Sequence, residues 1–137
     1  MTRHAGMNEV GERVKTIRGN AFQLLRNFND TGRRFDMIVL DPPPFVKRPQ
    51  EKAQGVKGYR DINYQAMKML NPGGILVSCS CSHHMSWQDL LDVLDQASQG
   101  CGREFRIIER IGAGPDHPVI LGMPETEYLR CYLLEVR

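Results

Sequence analysis

Apolar residues along the chain fall into continuous runs, alternating runs and helical stripes, and each pattern predicts a different element. Phe35 to Leu40 reads Phe-Asp-Met-Ile-Val-Leu, and its apolar stretch from Met37 predicts a strand buried on both faces of a parallel sheet. Asp41 and three prolines follow at once; proline cannot donate to a sheet ladder, so the strand must end there. Ile75 to Ser80 predicts a second buried strand. Phe105 to Ile111 and Tyr128 to Val136 alternate instead, and a weaker alternation from Val14 to Arg18 predicts a strand ahead of the others.

Helical spacing fills the gaps between these runs. From Ala21, the side chains of Phe22, Leu24, Leu25 and Phe28 share one stripe, with Asn20 placed to cap the helix and Gly32 lying past its end. Ile62, Ala66, Met69 and Leu70 give a helix over Tyr59–Leu70, stopped by Asn71-Pro72-Gly73-Gly74. Ser86 caps a third helix, Trp87 to Ala97, whose Leu90, Leu91, Val93 and Leu94 face the sheet and which Gly100 and Gly102 end. The polar stretch Lys47–Gly58 reads as a mobile substrate loop, Gly112–Glu125 as a Gly/Pro-rich loop, and residues 1–12 as a lead-in with no core role.

The succession βα, βα, βα, then β-loop-β predicts an α/β fold with a parallel sheet and an antiparallel last strand. In open α/β sheets ligands bind beyond the carboxyl ends of the strands, where Asp41-Pro42-Pro43 projects. The 137 residues make one domain with one core, and 41% hydrophobic with 25% charged residues excludes a disordered or fibrous chain. No apolar run approaches the roughly 18 residues of a membrane span and the N-terminus has no apolar signal core, so a cytoplasmic protein without a membrane partner is expected.

A net charge of +2 is too small to announce nucleic-acid binding by bulk field. Its distribution says more, because Lys47, Arg48, Lys52, Lys57 and Arg60 stand against Glu51 alone. That segment is either a solvated face or a phosphate-contacting one. Cys79, Cys81, Cys101 and Cys131 lack the spaced pairs of a secreted disulfide framework and read as free thiols.

Four motifs in order, Asp41-Pro42-Pro43-Pro44-Phe45, Gly58-Tyr59-Arg60-Asp61-Ile62-Asn63, Ser80-Cys81-Ser82-His83-His84 and Pro115-Asp116-His117-Pro118, resemble those of bacterial 23S ribosomal RNA cytosine-C5 methyltransferases that carry an N-terminal PUA domain. The resemblance runs from about Val14 to Val136 and implies a Rossmann-like class I methyltransferase that uses S-adenosylmethionine and acts on ribosomal RNA. It also implies that the PUA domain, the first two strands of the sheet and the glycine-rich cofactor turn are absent here; Gly6 and Gly11 follow no predicted strand and cannot supply that turn. On this reading residues 1–137 are a partial catalytic domain. The strand at Val14 would then pair directly with that at Asp36, or the exposed sheet edge would form a homodimer.

The family's chemistry explains the residue types. A thiolate adds at cytosine C6, C5 becomes nucleophilic enough to take a methyl group, and loss of the C5 proton expels the thiolate. By resemblance Cys81 is that nucleophile, with Cys79 two residues back on the same face; without the family, either would be read as a small buried hydrophobe. Asp41 would hydrogen-bond the cytosine N3 edge and, with Pro42, border the cofactor, although a strand-end acid also serves as a turn cap. Pro42 and Pro43 would offer carbonyls to the exocyclic amine, while Phe45 would stack on a flipped base or pack internally. Asn20 and Ala21 fall where relatives hold the cofactor's adenine, Asn20 replacing an acid and so being a weaker acceptor. Lys47 and Arg60 would hold RNA phosphates, and His117 would order a loop near the base pocket.

No metal site is expected, because Cys79, Cys81, His83 and His84 alternate faces along one segment. Two other functions fit the same residues. An amino-group methyltransferase would use Asp-Pro-Pro to polarise an exocyclic nitrogen and would need no thiol at Cys81, and a non-catalytic RNA-binding or self-associating fragment would need no cofactor.

Overall fold

Four strands, β1 (Phe35–Leu40), β2 (Leu70–Ser80), β3 (Phe105–Ile111) and β4 (Arg130–Val136), form one sheet in the order β1-β2-β4-β3. The computed structural model describes residues 2–137. β1 and β2 run parallel, whereas β4 lies between β2 and β3 and is antiparallel to both. Four α-helices accompany the sheet: α1 (Thr2–Met7), α2 (Ala21–Asp30), α3 (Lys52–Met69) and α4 (Trp87–Cys101). The α/β fold with an antiparallel last strand is therefore the one the pattern predicts.

α3 and α4 pack together over one face of the sheet. Ala66, Met67 and Leu70 meet Leu90, Leu94 and Ala97 above Leu76, Tyr132, Leu134 and Val136, all buried. Each large apolar side chain buried this way contributes about 1.5–3 kcal/mol. Ser86 closes α4 with a capping box: its hydroxyl accepts from Asp89 N–H while the Asp89 carboxylate accepts from Ser86 N–H.

The opposite face carries no helix among the described residues. Met37 and Val39 are 55% and 59% exposed there. β1 is thus covered on one face and open on the other, where the continuous apolar run predicts two buried faces; an apolar run records hydrophobicity and not which layers are present. Val14–Arg18 forms no strand. The segment joins no sheet, leaving Ile17 55% exposed and the outer edge of β1 unoccupied among the described residues.

The stretch expected as a mobile loop is mostly helix: a 3-10 turn at Pro49–Glu51 leads directly into α3 at Lys52. Its glycines are packing residues. A Cβ on Gly55 would lie 2.3 Å from Val46 Cγ2 and 2.9 Å from the Phe45 carbonyl oxygen, so only glycine lets α3 approach the chain that close. β2 likewise starts at Leu70, with residues 71–74 bulging out of register between Phe35↔Leu70 and Met37↔Ile75. α4 runs through Gly100 to Cys101 and is ended by Gly102 alone, in the left-handed region at φ 65°. None of the helices is long and apolar enough to cross a membrane among the described residues.

Candidate active site

Parallel pairing places the ends of β1 and β2 side by side, with Leu40 opposite Ser78. The chain leaves β1 as Asp41-Pro42-Pro43-Pro44 and leaves β2 as Cys81-Ser82, so the two motifs meet at one end of the sheet. The Cys81 thiol donates weakly to the Pro42 carbonyl at 3.8 Å. Asp41 is exposed beside them.

A buried hydroxyl cluster holds this arrangement. Tyr59, fully buried on α3, contacts Ser82 Oγ at 2.9 Å and accepts from Ser80 Oγ at 3.0 Å. Ser82 Oγ also accepts from Val46 N–H at 3.2 Å. Alternation along the strand sends Ser80 and Ser82 inward to Tyr59 and leaves Cys81 on the other side, toward Pro42. In the sequence Tyr59, Ser80 and Ser82 stand only within the shared motifs, without a role of their own; the signal for one is the Ser-Cys-Ser alternation.

Asn20, Ala21, Phe22, Asp41, Pro42 and Pro43 are among the residues lining a largely apolar cavity of about 410 Å³ between α2 and the end of β1. That size lies within the range of small-ligand sites, about 300–1,000 Å³. Asn20 Oδ1 already accepts from Phe22 and Gln23 N–H at 3.0 and 3.3 Å as the cap of α2. An adenine amine would therefore compete with the cap for that oxygen. Phe45 is packed by aromatic neighbours, its ring centroid 5.6 Å from Phe22 and 4.7 Å from Tyr59.

The basic residues separate. Lys47 joins His83, His84, Glu125, Glu127 and Arg130 around a second cavity of about 590 Å³. Arg130 is buried and donates to the Glu127 carbonyl at 2.9 Å, while Trp87 Nε1 donates to Glu127 Oε1 at 2.8 Å; no pattern in the sequence singles out these three. Arg60 lies elsewhere, with Lys57, Tyr64 and Gln96 in a groove between α3 and α4. His117 is exposed on the loop after β3, 3.1 Å from Asp116 and edge-on to Tyr128, and lines neither cavity.

Cys79 and Cys131 face each other across β2 and β4, the Cys79 thiol donating to the Cys131 sulfur at 3.2 Å. Among the described residues, no three His, Cys, Asp or Glu side chains are grouped to hold a metal ion.

The sheet order and the open end of β1 and β2 are those of a class I methyltransferase fold. A Streptococcus mutans protein described as a SAM-dependent methyltransferase is similar at a TM-score of 0.71 and 16% identity, over 86% of this chain and 30% of that one. M1.HpyAVI in complex with SAM is similar at a TM-score of 0.53 and 16% identity, over 90% of this chain and 53% of that one.

In sequence, the chain is 40% identical over 124 residues to Ribosomal RNA large subunit methyltransferase I of Serratia proteamaculans. It is 39% identical over 124 residues to the protein of the same name from Cronobacter sakazakii. Each alignment covers 90% of this chain and 31% of the relative, so the chain spans less than a third of the length of these curated proteins. No family model matches it.

Proposed function

We propose that this chain is the chemistry-bearing part of an S-adenosylmethionine-dependent methyltransferase acting on large-subunit ribosomal RNA in the cytoplasm, with cytosine C5 as the methylated atom and Cys81 as the nucleophile. The observation that carries the reading is the 3.8 Å approach of Cys81 Sγ to the Pro42 carbonyl at the adjoining ends of parallel strands. Nitrogen methylation at an Asp-Pro-Pro site has no use for a thiol there.

Each residue has a defined task in this reading. A cytosine entering beside Asp41 would donate its exocyclic N–H groups to the Pro42 and Pro43 carbonyls and, once N3 is protonated as C6 is attacked, donate N3–H to the Asp41 carboxyl. The Cys81 thiol, displaced from the Pro42 carbonyl by that amine, would pass its proton to solvent and add to C6 as thiolate; once C5 carries the methyl group, loss of the C5 proton to solvent would restore the C5–C6 double bond and expel the thiolate. Tyr59, Ser80 and Ser82 would keep Cys81 in place without touching the base. Lys47, His83 and His84 would offer a rim for the RNA strand, with Arg130 holding the Glu127 carbonyl beneath it, and Arg60 would reach the strand only where it wraps onto α3; His117 would order the loop after β3.

S-adenosylmethionine, when bound, supplies the methyl group as an electrophile. The apolar cavity beside Asn20, Ala21, Asp41 and Pro42 would take an adenine ring or the reactive end of such a cofactor, a reading its size of about 410 Å³ and its lining support. Among the described residues no strand ahead of β1 ends in a glycine-rich turn or a ribose-binding acid, so this chain would hold only part of it. The remainder of the binding site and a PUA domain would lie in sequence that the relatives have and this chain does not align to.

Calorimetric titration with S-adenosylmethionine tests the cofactor site. Saturable micromolar heat supports a site built by these residues; no heat at millimolar ligand rejects it for this chain. The chemistry is tested by RNA carrying 5-fluorocytosine, in which no C5 proton can be lost and the cysteine adduct persists. An adduct formed by the wild type and lost in Cys81→Ser supports C5 chemistry. Methyl transfer that survives Cys81→Ser would assign the amino-group reaction instead.

A further inference from the structure

The methyl-transfer site leaves one pair of reactive groups unused. Cys79 and Cys131 occupy directly opposed positions on antiparallel strands, with their sulfurs 3.2 Å apart. Opposed residues in such strands have Cα atoms about 4.5 or 5.5 Å apart, and both separations fall in the window of about 4.4–6.8 Å that a disulfide spans. Joining the sulfurs therefore asks for side-chain rotation and no movement of the strands.

The two thiols are not equivalent. The hydrogen bond from Cys79 holds the Cys131 thiol below its ordinary pKa, while that bond, together with burial, pushes Cys79 far above its own. Of the two, Cys131 is therefore the sulfur that gives up its proton first and attacks as thiolate. Cys131 is only 5% exposed, and Cys79 is half-buried on the face that no helix covers, which favours a small oxidant over a bulky one.

We propose that Cys79 and Cys131 form a peroxide-sensitive dithiol, distinct from Cys81, that closes reversibly to a cross-strand disulfide. The Cys131 thiolate attacks one oxygen of hydrogen peroxide, giving a sulfenic acid and hydroxide. The Cys79 sulfur then displaces the sulfenic hydroxyl, whose oxygen leaves with the Cys79 proton as water. Two thiols are oxidised and one peroxide is reduced; a small thiol reverses the bond by exchange. The closed form ties β2 to β4 one residue from the Ser80–Cys81 junction. This proposal does not rest on the methyltransferase reading.

The experiment treats the wild-type chain with hydrogen peroxide, blocks remaining thiols with one alkylating reagent, reduces, and labels the released thiols with a second. Peptide fragmentation then places each label, which matters because Cys79 and Cys81 share a tryptic peptide. The expected result is a mass loss of about 2 Da, the second label on Cys79 and Cys131, the first on Cys81 and Cys101, and a raised melting temperature that dithiothreitol reverses. Cys81→Ser should give the same disulfide. Four unreacted thiols, a bond that includes Cys81, a bond between two chains, or oxygen adducts confined to Cys81 would each overturn the proposal.

Discussion

Tyr59 and Ser82 share a hydrogen bond of 2.9 Å between their hydroxyls, which fastens helix α3 to the residue after Cys81. Ser80 bonds the same phenol from the other side of Cys81 at 3.0 Å. All three are fully buried, so no water replaces a lost partner. Tyr59→Phe should therefore destabilise the fold by about 1–3 kcal/mol, the cost of orphaning buried hydroxyls. Urea denaturation checks this, and an unchanged midpoint would show that the cluster does not hold the strand end.

Gly55→Ala sets two effects against each other. Alanine favours a helix interior by about 1 kcal/mol over glycine. Against that, the new methyl would meet Val46 Cγ2 at 2.3 Å and the Phe45 carbonyl oxygen at 2.9 Å, and backbone cannot step aside as a flexible side chain can. Overpacking costs typically about 1–3 kcal/mol. Net destabilisation is expected in urea melts; a stabilised variant would mean that the Phe45–Val46 turn shifts freely.

At Asp89, burial raises the carboxyl pKa, but hydrogen bonds from Lys52 and from Ser86 outweigh it and leave the group below its ordinary value. A depressed carboxyl pKa contributes stability that is fully present above the unfolded value of about 3.9 and is lost as pH falls through the folded one. Asp89→Asn should flatten the loss of stability with acid below about pH 4. Ser86→Ala, which removes the cap, should cost about 1 kcal/mol at neutral pH. Thermal melts across pH read both, and an unaltered acid limb in Asp89→Asn would refute the assignment.

β1 is an edge strand with Met37 and Val39 turned to the uncovered face. Such an edge is a template for pairing with another chain. Light scattering is expected to show mass rising with concentration, and Val39→Lys to suppress the rise. A monomer mass at every concentration would exclude the homodimer.

The strand ends and caps were legible in the sequence because local chemistry decides them: three prolines after Asp41, Asn20 and Ser86 at helix starts, Gly32 and Gly102 past helix ends. The place of Cys81 beside the Asp-Pro-Pro loop was legible only through the motif resemblance, and the parallel pairing of β1 and β2 supplies its physical reason. What was not legible depended on contacts distant in sequence. Gly55 and Gly58 look like loop residues until Phe45 and Val46 are seen against them, and Val14–Arg18 looks like a strand until no partner is found. Arg60 and Lys47 share a charge cluster in the chain but part onto different surfaces, because α3 carries Arg60 away from the sheet end.

The place of β4 also sets the order in which the molecule can be assembled. It follows the other three strands in the chain, yet it lies inside the sheet, and its sulfur contact with β2 joins residues 52 positions apart. Until it arrives, β2 has one neighbour and β3 has none, and the buried faces of α3 and α4 lack Tyr132, Leu134 and Val136 beneath them. The sheet therefore closes through pairings distant in sequence, the kind of contact that slows folding because loop closure precedes its reward.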